Sequence, residues 1–157
     1  MRWFCAAILF VMFSGLSACG APEDPSNIIR LWPIEQIGEE NRLKEEITNE
    51  GKVRFFEIKD PNLTVYPAEG TKPTPAVIYC PGGGYKHLTP EQSIIDWLNE
   101  FGITVLMLKY TVPNDQDAAF RDVQRAVRVT RSMSQQLNID LDRVGVLGTS
   151  AGGHLAW

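Results

Sequence analysis

The sequence predicts an α/β fold in which a mostly parallel sheet is covered by helices on both faces. From residue 76 onward, predicted strands alternate with predicted helices, an order that favours parallel strands joined by helical crossovers. The predicted strands at residues 76–80, 103–108 and 144–147 are apolar runs, and the first is continuous, as expected for a strand buried on both faces. Residues 144–147 would be a central strand in a complete sheet and are expected to form an open apolar edge in this chain. The length of 157 residues suits one such domain.

The composition is that of a globular protein and gives no sign of a nucleic-acid or metal partner. Hydrophobic residues make up 44% and charged residues 22%, and the net charge of -4 gives no reason to expect nucleic acid binding. The two histidines, His87 and His154, have no cysteine or histidine partner at zinc-like spacing. Cys80 lies in an apolar run and is predicted to be a buried small side chain, not a reactive thiol. We therefore expect no metal and no other cofactor.

Residues 1–19 are predicted to be a lipoprotein signal peptide. Arg2 supplies a short positive region, and residues 3–16 form an apolar stretch that is short for a membrane span but typical of an export signal. The run Leu-Ser-Ala-Cys that ends at Cys19 resembles the lipobox of bacterial lipoproteins, which implies export and a membrane anchor through lipidated Cys19. The alternative is an ordinary signal peptide in which Cys19 is incidental.

The segment after the signal divides into a tether and the main domain. Residues 20–28 are polar, contain two prolines and are predicted to be a flexible spacer, and the domain occupies residues 29–157. Residues 39–50 suggest a charged surface helix with a thin apolar face. Residues 53–59 and 63–66 are predicted strands separated by a turn, and we expect them to form a hairpin at the sheet edge.

Three glycines follow the first buried strand. Pro81 is succeeded by Gly82, Gly83 and Gly84, whose amides are unobstructed by any Cβ and can adopt positive φ. Successive amides of this kind can face a bound anion, which favours one half of an oxyanion hole. The alternative is a flexible turn.

Two helices are predicted beyond this loop. The first begins with a threonine cap at Thr89 and a proline at the next position, and it ends at Gly102. Its buried face is predicted to contain Ile94, Leu98 and Phe101. The second helix is predicted over residues 117–137 and carries a row of arginines, which is interpreted as a solvated outer face, with an anion-binding face as the alternative.

The strongest chemical signal is the run Gly148-x-Ser150-x-Gly152 directly after an apolar strand. A serine whose hydroxyl must stand clear of the backbone is held on a sharp strand-to-helix turn, and small residues on both sides let strand and helix approach closely. The Ala151 amide then lies at a helix N-terminus, where it faces negative charge. Ser150 is therefore a candidate nucleophile, and the Ala151 N–H a candidate oxyanion donor.

Together these residues resemble the α/β-hydrolases, and more narrowly the acetyl-esterase branch related to hormone-sensitive lipase. Residues 81–85, 122–128 and 142–156 are similar to predicted xylan acetyl esterases. The resemblance implies a three-layer α/β-hydrolase sandwich that acts on a small ester or an acetylated carbohydrate. It also implies a nucleophile and oxyanion donors at the following positions: Ser150, Gly83, Gly84 and Ala151. Pro81 departs from the pattern, because the lipase-type loop has histidine there.

The same resemblance implies that part of the machinery lies outside this chain. In this fold the acid and the histidine follow the serine, but only seven residues follow Ser150. We therefore expect an N-terminal fragment that lacks the C-terminal half of the fold and has little or no activity alone. His154 is expected to point away from the serine hydroxyl, and His87 to be structural or to line the substrate cleft. A prolyl-oligopeptidase-type peptidase and a non-catalytic lipid-anchored protein are the alternatives.

Overall fold

The computed structural model describes residues 27–41, 46–48 and 53–157. The predicted signal peptide, Cys19 and most of the tether lie outside the described residues. None of the helices that the structure describes is long and apolar enough to cross a membrane. In chain order the strands are β1 (Ile28–Arg30), β2 (Glu46–Thr48), β3 (Arg54–Phe56), β4 (Asn62–Tyr66), β5 (Thr74–Cys80), β6 (Thr104–Lys109) and β7 (Ile139–Gly148). The α-helices are α1 (Ile34–Ile37), α2 (Gln92–Glu100), α3 (Gln116–Ser132) and α4 (Ala151–Leu155).

The main sheet has five strands in the order β1-β4-β6-β5-β7. β5 pairs in parallel with both β6 and β7, whereas β4 is antiparallel to β6 and to β1. β4 is therefore the one strand of this sheet that runs against the others, and the prediction of a mostly parallel sheet is confirmed. The crossovers through α2 and α3 lead in opposite directions along the sheet, so right-handed connections place the two helices on opposite faces.

Burial follows the position of each strand in the sheet. All six residues of β6 are buried, in agreement with the expectation from its continuous apolar run. β7 lies at the sheet edge and is half-buried or exposed over most of its length. Val144, Val146 and Leu147 pack against the core but remain partly accessible. An apolar strand in that position presents unpaired backbone groups to any chain that can add to the sheet.

The predicted hairpin between residues 53–59 and 63–66 is wrong. β3 pairs with β2 in a separate two-stranded sheet, and β4 is inserted between β1 and β6. The first four residues of β4 are buried, which requires partners and cover on both sides. A strand at the end of a hairpin would leave one of those sides open to water.

The charged helix expected over residues 39–50 is also absent from the described residues. A 3-10 turn occupies Glu39–Asn41, and Glu46–Thr48 forms β2. The backbone of Ile47 pairs with that of Phe55, so this part of the expected helix is a strand instead.

The two long helices form close to the predicted positions but with different ends. α2 begins at Gln92, because the Thr89 N–H donates to the Gly82 carbonyl (2.8 Å) and does not start a helix. Its buried residues are Ile95 and Leu98, while Phe101 is 67% exposed. α3 is capped by the Asp115 side chain, which accepts from Ala118 N–H (2.8 Å), and it ends at Ser132.

A buried aspartate on α3 fastens the start of the domain to this helix. Asp122 accepts hydrogen bonds from Trp32 Nε1 (2.7 Å), Thr111 N–H (2.9 Å) and Thr111 Oγ1 (2.7 Å). Burial raises the pKa of the Asp122 carboxyl, and these hydrogen bonds act in the opposite direction. Arg125 donates to the Leu31 carbonyl (3.0 Å) and covers the Trp32 ring. The arginine row is thus only partly a solvated face.

Candidate active site

Ser150 lies at the tip of a strained turn between β7 and α4. Its backbone has φ 52° and ψ -118°, a conformation that residues with a Cβ rarely adopt. The residue is exposed, whereas Gly152 and Leu155 that follow it are buried. The strand and the helix therefore converge beneath the serine and present its side chain at the surface.

The two glycines of the Gly-x-Ser-x-Gly run are required by close backbone approaches. A Cβ on Gly148 would overlap the Gly152 carbonyl, so no larger residue fits where the strand passes the helix. A Cβ on Gly152 would overlap the Cys80 carbonyl at the end of β5. The strand-turn-helix segment around Ser150, the elbow, therefore packs tightly against β5, and its own strand and helix pack tightly against each other.

The glycine loop after β5 packs directly against this elbow. Gly82 N–H donates to Thr149 Oγ1 (3.1 Å), and Thr149 N–H donates to the Cys80 carbonyl (3.2 Å). A Cβ placed on Gly82 would lie 3.2 Å from the Ser150 Cβ. The structure thus brings together two segments that are 67 residues apart in sequence, with the loop beside the serine.

The next two glycines keep their amides free of internal partners. Gly83 and Gly84 have φ values of 145° and 63°, and a Cβ on Gly83 would overlap the His87 carbonyl. The Gly83 carbonyl accepts from Lys86 N–H (3.1 Å) and His87 N–H (3.4 Å), which closes the turn. Within the described part of the chain, the N–H groups of Gly83, Gly84 and Ala151 donate no hydrogen bond. Their use as oxyanion donors stays a prediction.

Two buried tyrosines hydrogen-bond to the loop and to the segment that follows it, contacts that no sequence pattern indicates. Tyr110 donates its hydroxyl to the Pro81 carbonyl (2.8 Å), and Tyr79 accepts from the Glu91 N–H (3.3 Å). Burial raises the pKa of both tyrosine hydroxyls, which therefore stay protonated at neutral pH. The Pro81 carbonyl thus anchors the loop although Pro81 has no polar side chain. Both tyrosines lie in or beside apolar strands, where they look like ordinary core residues.

Both histidines are engaged in contacts away from the serine hydroxyl. His154 Nδ1 lies 2.9 Å from the Tyr85 hydroxyl, and its ring meets the Phe120 ring at a centroid distance of 5.5 Å. His87 packs on the Phe56 ring, with 5.3 Å between centroids. Tyr85 itself is 7% exposed, so its ring packs inside the protein. Among the described residues, neither imidazole ring hydrogen-bonds to the Ser150 hydroxyl.

Cys80 has no chemical role of its own in this arrangement. It is fully buried, and burial raises the pKa of its thiol to about 12, so the thiolate is not populated near neutral pH. The prediction of a buried small side chain is confirmed. No group of three or more His, Cys, Asp or Glu residues that could hold a metal occurs in residues 27–41, 46–48 or 53–157.

A separate concavity lies at the opposite end of the sheet. It has a volume of about 420 Å³ and is lined by residues 69–75 together with Gly102 and Arg143. All of these residues except Arg143 precede or begin the parallel strands, whereas Ser150 and the glycine loop follow their carboxyl ends. Ligands of open α/β sheets bind outside the carboxyl ends, so the concavity is not the reaction site.

Comparison with known proteins places this geometry among esterases. Residues 63–157 match the BD-FAE family. Over 85 residues the chain is 36% identical to an acetylxylan esterase of Xylanibacter ruminicola, which corresponds to 52% of this chain and 18% of that protein.

Solved structures agree with the sequence comparison. An acetyl ester-xyloside bifunctional hydrolase from Caldicellulosiruptor lactoaceticus superposes with a TM-score of 0.65 at 36% identity, covering 82% of this chain and 44% of that one. The hyperthermophilic esterase of Pyrobaculum calidifontis gives 0.53 at 28% identity, with 62% and 33% covered. Esterase 2 of Thermogutta terrifontis gives 0.57 at 26% identity, with 71% and 45% covered. The chain therefore spans less than half the length of each of these relatives.

Proposed function

The chain belongs to the BD-FAE family of α/β-hydrolases, and we propose that the whole protein is a serine carboxylester hydrolase for short acyl groups, acetyl above all. The observation that carries the proposal is the contact between the strained Ser150 turn and the triple-glycine loop. A serine held out of a turn supplies a nucleophile, and the free amides beside it supply donors for a developing oxyanion.

In the proposed mechanism Ser150 attacks the ester carbonyl while a histidine accepts its proton. That histidine and the acid that orients it lie beyond residue 157 in the whole protein, because His87 and His154 are engaged elsewhere. The amides of Gly83, Gly84 and Ala151 stabilise the tetrahedral oxyanion. Each such donor contributes on the order of 3 kcal/mol to transition-state stability. The alcohol leaves with the proton, and water then hydrolyses the acyl-enzyme.

The proposed substrate is an acetylated polysaccharide such as xylan. Support comes from the acetylxylan esterase and the acetyl ester-xyloside hydrolase, both 36% identical to this chain over the aligned residues. The Thermogutta esterase is known with butyrate and with propionate bound, which favours short acyl groups in this fold. We further propose that the protein is exported and anchored in the membrane through a lipid on Cys19, which would hold the enzyme where extracellular polysaccharide is processed.

The proposal is tested with a series of esters offered to the purified whole protein. We expect kcat/KM for p-nitrophenyl acetate to exceed that for p-nitrophenyl octanoate by at least about 100-fold, because a pocket shaped for acetyl excludes a long chain. Acetate release from acetylated xylan is measured in parallel, with deacetylated xylan as the blank. A preference for the octanoate ester, or no acetate release from xylan, would contradict the assigned substrate class.

The glycine loop supplies a second prediction for the whole protein. Gly83→Ala is expected to lower kcat for p-nitrophenyl acetate about 100-fold, because the new Cβ overlaps the His87 carbonyl and displaces the donors. Gly70→Ala is the matched control, since Gly70 has the same φ of 145° but no atom within 4 Å of the added carbon. The Gly70→Ala variant therefore has the same backbone strain but no steric overlap. Equal kcat values for the two variants would show that the loop does not take part in catalysis.

A further inference from the structure

Tyr85 and His154 form a hydrogen bond that the proposed mechanism does not use. Tyr85 is the residue directly after the triple glycine, and His154 lies on α4 one helical turn after Ser150. The Tyr85 hydroxyl is 2.9 Å from His154 Nδ1. Either tautomer of a neutral imidazole permits this bond, because a phenolic hydroxyl can donate or accept. The bond therefore joins the loop that carries one set of amides to the helix that carries the other.

Tyr85 is held by a backbone hydrogen bond and by contacts of its ring. Its backbone has φ 59°, and its carbonyl accepts from the Asn114 N–H (2.8 Å). Its ring is buried and meets the edge of Tyr110, whose hydroxyl in turn holds the Pro81 carbonyl. A residue with a Cβ in the left-handed region is strained, so surrounding contacts must compensate for it. The hydroxyl is consequently aimed at His154 by the fold.

His154 is connected to the elbow through its backbone as well as its side chain. Its N–H donates to the Ser150 carbonyl (3.1 Å), in the first turn of α4. Its ring meets the rings of Tyr85 and Phe120 at near-perpendicular angles, with centroid distances of 6.1 and 5.5 Å. His154 thus contacts the Ser150 carbonyl through its backbone N–H, and it contacts Tyr85, the residue after the glycine loop, through its imidazole ring.

We propose that Tyr85 and His154 are a positioning pair that fixes the glycine-loop amides relative to Ser150. The inference rests on the proposed function, since it concerns the oxyanion hole of that same site. Oxyanion donors must lie 2.7–3.1 Å from a charge that exists only in the transition state. A loop displaced by about 1 Å loses much of that stabilisation, while binding of the uncharged ester is little affected. The pair should therefore act on kcat and leave KM nearly unchanged.

The test uses ring-preserving variants of the whole protein: Tyr85→Phe, His154→Phe and the double variant. Each single variant is expected to lower kcat for p-nitrophenyl acetate about tenfold with KM within about twofold, because the loop becomes less well placed. The double variant should be no slower than the slower single variant, since both changes remove the same bond. Tyr66→Phe is the control, because this tyrosine pairs with Val105 near the start of β6, at the end of the sheet away from Ser150, and its replacement also removes only a hydroxyl.

Two further measurements separate positioning from simple packing. Affinity for a trifluoromethyl ketone, which forms a tetrahedral adduct with a serine, should weaken in proportion to kcat/KM across the variants. His154→Asn, which retains a polar atom near the Nδ1 position, should recover most of the lost kcat. Urea unfolding is recorded for every variant, so that only folded proteins are compared. The ketone affinity and the His154→Asn variant remain informative if one ring-preserving variant is unstable.

Three results would contradict the inference or the function on which it rests. If kcat and ketone affinity stay within twofold in both single variants while Ser150→Ala is inactive, the pair only packs, the inference is overturned and the proposed function stands. Multiplied losses in the double variant would also overturn it, because the two residues would then act independently. Full activity of Ser150→Ala would refute the proposed function, and this role of the pair with it.

Discussion

Replacing Ser150 by alanine in the whole protein is expected to lower kcat for p-nitrophenyl acetate by about 10⁶-fold. Loss of the nucleophile in serine hydrolases removes nearly all catalysis that depends on a covalent intermediate, and only the oxyanion donors and substrate binding remain. The effect is large because Ser150 is the residue that the turn exposes, in a strained backbone conformation of the kind found at functional sites. Initial rates over a range of substrate concentrations separate kcat from KM.

Ser132→Ala provides the matched control for that experiment. Ser132 is an exposed serine at the end of α3, and its hydroxyl donates to the Val129 carbonyl (2.8 Å) within the same helix. Its replacement should leave kcat unchanged. An organophosphate such as paraoxon, which phosphorylates the Thermogutta esterase, should label the parent protein and the Ser132→Ala variant but not Ser150→Ala. Labelling of all three proteins at the same rate would place the nucleophile elsewhere.

Gly152→Ala is expected to destabilise the protein by about 3 kcal/mol or more. The added methyl group would overlap the Cys80 carbonyl and would lie close to the Pro81 carbonyl, both of which are backbone atoms that cannot rotate away. Relief requires that α4 move away from β5, and core overpacking of this kind commonly costs 1–3 kcal/mol or more. The free energy of unfolding is measured in urea, and activity should fall as well because the displaced helix begins at the elbow.

Gly145→Ala is the control for this substitution. Gly145 lies in β7, the strand that leads into the elbow, and no atom lies within 4 Å of a Cβ built on it. Alanine loses less conformational freedom than glycine on folding, so this variant should gain roughly 0.5 kcal/mol. Similar unfolding midpoints for the two variants would mean that the elbow tolerates a side chain, and that the close approach to β5 is not what selects glycine.

Several parts of the site could be predicted because their signals are local. Gly148 and Gly152 flank Ser150 at fixed spacing, and the reason for small residues there follows from the turn itself. The run of glycines after β5 likewise indicates unobstructed amides, because this property follows from the residue type and not from the fold. Alternation of apolar runs with amphipathic segments was sufficient for the fold class, because β5, β6 and β7 are each followed by a helix.

Pairing partners could not be predicted in the same way. Residues 53–59 and 63–66 look like a hairpin in sequence, yet β3 pairs with β2 and β4 enters the main sheet. A strand's partner is set by which pairing buries its apolar side chains, and that depends on strands far along the chain. The predicted helix start at Thr89 is also too early, because the Thr89 N–H donates to the Gly82 carbonyl and α2 begins at Gln92.

The sequence by itself determined the α/β class, the position of Ser150 on a strand-to-helix turn and the presence of an amide-rich loop. Only the tertiary structure decided that the loop lies against the serine, with hydrogen bonds to Thr149 and between Tyr85 and His154 linking the two segments. The physical reason is distance along the chain. Turn geometry depends on neighbouring residues, whereas hydrogen bonds between residues about 70 positions apart exist only after the sheet has aligned β5 beside β7.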